Sequence, residues 1–222
     1  MKDKDNVVYT VITGDLVSSK KVENRAFLQQ KVELIMDEIN EEFKSSLVVP
    51  FNFTAGDEFQ GLVSELEVSF NLTQWWKRRL FPWRTRFGIG VGRLSTPIAR
   101  ATSSMDGECF HRAREAIEMA EKEKRYLIYR TGDFILDMSV NTVIFLMETI
   151  QRDWKEIHYK RYWLYKELGT LEKVATREDV SKQAVIKTLK AAKYSAIMKA
   201  EESIKILLSA FQNRLSLSTQ RG

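Results

Sequence analysis

Two segments constrain this chain most: Val-Ile-Thr-Gly-Asp-Leu-Val-Ser-Ser at 11–19 and Phe-Thr-Ala-Gly-Asp-Glu-Phe-Gln at 53–60. Each is an apolar run rich in β-branched or aromatic residues that ends in Gly-Asp. That pattern predicts strands whose ends deliver Asp15 and Asp57. Gly14 and Gly56 permit tight turns and close approach of a ligand. Two carboxylates brought to one sheet edge suit a hard divalent cation such as Mg²⁺, which shares its coordination between carboxylates and phosphates. Ser18 and Ser19 follow Asp15 in a polar loop whose N–H groups suit a phosphate and whose hydroxyls equally suit a helix cap.

The pattern around these segments predicts an order of elements. A β-branched run covers 6–14, and a helical stripe follows with Phe27, Leu28, Val32, Ile35, Met36, Ile39 and Phe43. A hairpin turns at Gly56-Asp57, with Glu58 alternating to the opposite face from Asp57. A helix over 65–80, a glycine-bearing strand over 85–92, a helix over 110–122 and a short strand over 126–129 complete the order β-α-β-β-α-β-α-β. This is an α+β chain of ferredoxin-like or palm type, an antiparallel sheet with helices on one face. Beyond Asp133 the pattern is helical almost throughout. The expected division is a palm-like domain at 1–135 and a helical domain at 136–222.

Composition narrows the chemistry. The single cysteine, Cys109, and two separated histidines, His111 and His158, leave no framework for a disulfide or a transition-metal centre. No run approaches the ~20 apolar residues that span a bilayer. The start, Met-Lys-Asp-Lys-Asp-Asn, is too charged for a secretory signal, so the expected setting is cytoplasmic, with no membrane contact. Residues 151–222 carry 15 Lys/Arg against 8 Asp/Glu, which points to a polyanion partner for the C-terminal part alone.

Residues 170–192 have helix-turn-helix form. Asp179 stands at the turn, Ser181 is placed to cap the second helix, and Val180 and Val185 anchor it. Ser181, Lys182, Gln183, Lys187 and Lys190 are the candidate DNA contacts. The competing view is an amphipathic helical hairpin that only packs. A DNA-binding pair of this kind usually works as a two-fold homodimer, for which the apolar stretch 197–215 offers a seam.

The first 130 residues resemble the nucleotide-cyclising palm domains, the class III nucleotidyl cyclases and the diguanylate-cyclase (GGDEF) domains. Asp15 matches the acidic residue ending their first strand, and Ala55-Gly56-Asp57-Glu58-Phe59 is close to the GGDEF signature. The resemblance implies two Mg²⁺ ions at Asp15 and Asp57 orienting a nucleotide. Taken whole, with Met-Asp-Gly-Glu-Cys-Phe-His-Arg-Ala-Arg-Glu-Ala at 105–116, the chain resembles the bacterial SatD family. The helix after Asp106 does not reproduce the Asn-x₃-Arg pair of class III cyclases. Arg112 and Arg114, beside a helix N-terminus expected close to the Asp edge, are the candidate phosphate contacts.

The function that follows is a regulator: a metal- and nucleotide-binding palm coupled to a DNA-binding helix-turn-helix. The alternative is an Mg²⁺-dependent nucleotidyl cyclase or nucleotidyltransferase that makes a signalling nucleotide.

Overall fold

The computed structural model describes residues 7–17 and 25–220. Among them, five strands form one sheet: β1 (Val8–Leu16), β2 (Leu47–Ala55), β3 (Glu58–Val63), β4 (Thr85–Arg93) and β5 (Leu127–Arg130). The helices are α1 (Arg25–Glu42), α2 (Leu66–Leu80), α3 (Glu108–Lys122), α4 (Phe134–Arg152), α5 (Glu156–Leu168), α6 (Leu171–Glu178), α7 (Lys182–Ala191) and α8 (Tyr194–Gln220). The element order through β5 is the one the sequence predicts. The strands lie in the order β2-β3-β1-β4-β5, antiparallel except where β5 runs parallel to β4.

One sheet face is aromatic. Phe59 stacks on Trp76 of α2 with centroids 4.1 Å apart, and Phe51 and Phe87 pack edge-on or tilted around them. Gly14 lies under the Phe59 and Phe87 rings, where any side chain would collide with both. The opposite face takes α3. Gly88 and Gly90 leave no room for a Cβ, because the α3 backbone at Cys109, Ala113 and Ile117 lies directly on them. The helices therefore occupy both faces, where the sequence predicts one. The signal for this is the alternation Gly88-x-Gly90-x-Gly92 along β4. At period two it clears a single face for a close-packed helix.

Both edge strands are closed by an asparagine amide that substitutes for a neighbouring strand. Asn40 of α1 exchanges two hydrogen bonds with Phe51 of β2, at 2.9 and 2.7 Å. Asn141 of α4 does the same for Tyr129 of β5, at 2.9 and 2.8 Å.

The chain divides into two compact units: Met1–Asn141 with Lys205–Gly222, and Thr142–Ile204. The end of α8 counts with the sheet unit, where Gln212 Oε1 accepts from Leu66 N at 2.7 Å, at the start of α2. Among the described residues, α4 alone has the length and composition to cross a membrane. It also carries Asp137, a buried residue whose carboxylate accepts from Thr131 N at 2.8 Å and from Thr131 Oγ1 at 2.7 Å.

In the second unit, Val174, Val185 and Leu189 are buried where α6 and α7 pack on α5. Arg161 of α5 ties them together. Its Nε donates to Glu178 Oε2 at 2.6 Å, and its Nη1 donates to Ala184 O at 3.0 Å and to Thr188 Oγ1. Asp179 ends α6 with φ 51°, a left-handed conformation that Asp tolerates better than most residues. Ser181 caps α7, its Oγ accepting from Ala184 N at 3.2 Å.

Candidate functional site

The site begins with register. β1 pairs with β4 so that Asp15 stands opposite Arg86, and with β3 so that Gly14 stands opposite Phe59. One step further, Asp15 faces Glu58. Asp15 is thus flanked by a guanidinium on one side and a carboxylate on the other, on the face that α3 partly covers. The ladder continues past it, with Val17 N donating to Arg84 O at 2.9 Å. Asp57 occupies the β2–β3 turn directly after Gly56, whose φ of 62° lies in the left-handed region that glycine adopts without strain.

The electrostatics are unbalanced. Arg86 Nε lies 3.3 Å from Asp15 Oδ1, and Arg86 Nη1 lies 2.8 Å from Glu121 Oε1. Among the described residues, Asp15 Oδ1 is nevertheless buried without a hydrogen-bond donor. Burial pushes the Asp15 carboxyl up to about 6; Arg86 opposes this, while Glu121, Asp57 and Glu58 add to it. Its neighbours are therefore mainly carboxylates. Glu58 is fixed by Thr54, whose hydroxyl donates to Glu58 Oε1 at 3.0 Å. Gln60 Nε2 donates to Thr13 Oγ1 at 2.7 Å, one residue pair further along the same face.

The fold thus brings Gly14, Asp15, Gly56 and Asp57 to one end of the sheet. Ser18 and Ser19 lie outside the described residues. Arg112 is elsewhere: its Nη1 donates to Val91 O at 2.6 Å and Thr131 O at 3.2 Å, and its Nη2 pairs with Glu108 at 2.6 Å. Arg114 is exposed one residue beyond Ala113, whose backbone packs on Gly88 and Gly90. The expectation that the α3 N-terminus lies near the Asp edge is corrected. β4 runs antiparallel to β1, so α3 starts beside Gly92 and Leu94, and its last turns approach Arg86 through Glu121. The dipole end near Asp15 is therefore the negative one.

Among the described residues, no group of three or more His, Cys, Asp or Glu is arranged as a metal centre. Asp15, with Asp57 near enough to raise its pKa, has the oxygen chemistry that a hard cation takes, and one or two carboxylates are what Mg²⁺ ordinarily uses. Cys109 is buried, and burial pushes its thiol up to about 12, which removes it as a nucleophile.

In the second unit Gln183, Lys187 and Lys190 are exposed on α7, on the side away from the buried Val185 and Leu189. Lys182 pairs with Glu172 of α6. From Val180 to Ala200 there are five lysines and no carboxylate.

Sheet and site define an α+β protein with a βαββαβ antiparallel core, extended by a parallel strand and carrying an acidic end. The SatD family profile matches residues 9–212, and the chain belongs to the SatD family. None of the curated proteins matches it. Among solved structures, a bacterial light-regulated adenylyl cyclase is similar at 15% identity and TM-score 0.41, over 55% of this chain and 75% of that one. A second such cyclase structure gives 14% and 0.41, and this chain spans 43% of its length. A regulator of polyketide synthase expression from Bifidobacterium adolescentis gives 14% identity and TM-score 0.21 over 90% of this chain and 85% of that one. Likenesses this weak carry no weight for activity.

Proposed function

We propose that the sheet unit binds a divalent cation, Mg²⁺ in the cell, together with the phosphates of a nucleotide at Asp15, Asp57 and Glu58. The observation that carries this is Asp15 itself: a half-buried carboxylate with an oxygen that finds no donor among the described residues, set against further carboxylates. Such an arrangement costs the folded chain stability and is characteristic of functional sites. Asp15 and Asp57 would hold the cation, which when bound neutralises phosphate charge. Glu58, kept in place by Thr54, supplies further negative charge.

The helical unit fits a second role, contact with nucleic-acid phosphates through Lys187 and Lys190, with Gln183 toward the bases. The lysine-only stretch from 180 to 200 supports it. The chain is then a regulator whose nucleotide state alters DNA affinity, working as a homodimer. Calorimetry with each nucleoside triphosphate and Mg²⁺ tests the sheet site. Binding to the wild type, lost in Asp15→Asn and Asp57→Asn and without a new product on chromatography, is the expected result. Turnover in the wild type, abolished by either substitution, would instead make it a cyclase or nucleotidyltransferase.

A further inference from the structure

Arg86 was not among the residues that sequence motifs single out, yet it is the cation nearest Asp15. Its side chain is only 11% exposed and bridges two carboxylates, Asp15 on β1 and Glu121 on α3. Neither contact is a hydrogen bond. The guanidinium is 2.8 Å from Glu121 and 3.3 Å from Asp15, yet among the described residues both Asp15 Oδ1 and Arg86 Nη1 are buried without a hydrogen-bond partner. Arg86 therefore neutralises Asp15 without satisfying it and keeps an unspent donor at Nη1.

Resting on the reading of Asp15 and Asp57 as cation ligands, we propose that Arg86 is the resident counter-cation of this site. A divalent cation takes Asp15 from it, and the released guanidinium grips a phosphate oxygen. The ligand class follows from charge. A bare anion meets Asp15, Asp57 and Glu58 and is repelled. A bare divalent cation must settle beside a fixed positive charge about 3 Å from its ligand, which is a Coulombic penalty. A metal–phosphate complex meets neither obstacle, because its cation goes to the carboxylates and its oxygens to the planar donors of Arg86. The site thus selects the metal complex of a phosphate or polyphosphate over either component alone.

The test is a titration with Mn²⁺, followed by the loss of its free electron paramagnetic resonance signal, with and without pyrophosphate. In the wild type, pyrophosphate should strengthen Mn²⁺ binding about tenfold or more. In Arg86→Gln, bare Mn²⁺ should bind about five- to tenfold tighter than in the wild type, and pyrophosphate should no longer help. Glu121→Gln, at a side chain 70% exposed, leaves Arg86 wholly to Asp15 and should weaken bare Mn²⁺ binding about threefold. Unchanged bare-Mn²⁺ affinity in both variants, with the pyrophosphate effect intact, overturns the role of Arg86. If Asp15→Asn loses Mn²⁺ in that same series, the metal site stands and only the Arg86 proposal falls. If the wild type binds no Mn²⁺ under either condition, the metal site falls and the proposal with it.

Discussion

Arg86 Nε lies 3.3 Å from Asp15 Oδ1, and yet the Asp15 carboxyl is pushed up to about 6 rather than down. A guanidinium beside a carboxylate ordinarily depresses its pKa. Here desolvation is the largest effect and exceeds the Arg86 attraction, with Glu121, Asp57 and Glu58 acting in the same direction as burial. The folded chain thus holds a carboxylate where a carboxylate is unfavourable.

The consequence for stability has a definite sign. The folded value of about 6 is above the ordinary 3.8, so the native state binds the Asp15 proton more tightly than the unfolded chain does. That contribution is fully present below about pH 4 and is lost as pH rises through about 6. Asp15→Asn should therefore be more stable than the wild type at pH 8, by about 2 kcal/mol, with the gap closing near pH 4. Urea unfolding of both proteins across that range checks it. A gap independent of pH would contradict it.

Close packing of α3 on β4 makes a second prediction. A methyl at Gly90 would run into the backbone of Cys109 and Ala113, neither of which can move aside as a flexible side chain could. Gly90→Ala should cost about 3 kcal/mol or more in chemical denaturation, well beyond the usual range for a surface substitution. The same change at Gly169, where a Cβ would meet nothing, carries only the penalty of its φ of 77°.

The ion pair in the helical unit supplies a third. Arg161 and Glu178 are 11% and 10% exposed and 2.6 Å apart. Removing Arg161 alone, as in Arg161→Met, strands the Glu178 charge and should cost about 3–5 kcal/mol. Arg161→Met with Glu178→Leu should recover much of that loss, because two apolar side chains need no desolvated charge. Thermal melts of the single and double variants decide it, and a double variant as unstable as the single one would contradict it.

Much of this was legible in the chain. The alternation of strand and helix patterns to Arg130 is local information, and it gives the element order correctly. Ser181 as a cap and Asp179 in a left-handed turn are also local, and both occur where the pattern places them. What the pattern hides is register. That Arg86 stands opposite Asp15 depends on how two strands distant in the chain align, and no motif records it. Alternation sets Glu58 off the face of Asp57, and the same alternation, continued from the Gly14–Phe59 pair, turns it toward Asp15. Arg112 has the right chemistry for phosphate, but chain direction carries it to the opposite end of β4. The period of two in Gly88, Gly90 and Gly92 is the sequence signal for the face on which α3 packs.

For the helical unit, Lys187→Ala and Lys190→Ala should each weaken binding to random duplex and lower the slope of log affinity against log salt by about 1. Fluorescence anisotropy at several salt concentrations measures this. Binding that is absent, or insensitive to salt and to both substitutions, would leave α6 and α7 with a packing role alone.

The central claim is that Asp15 and Asp57 grip one cation. Crystals grown with Mn²⁺ and a non-hydrolysable nucleoside triphosphate, with data collected at the manganese edge, test it most directly. The account predicts an anomalous peak at coordination distance, about 2.1 Å, from carboxylate oxygens of both residues, with Arg86 drawn off Asp15 onto phosphate. A nucleotide bound elsewhere, or a peak absent from this end of the sheet with Arg86 still on Asp15, would contradict it.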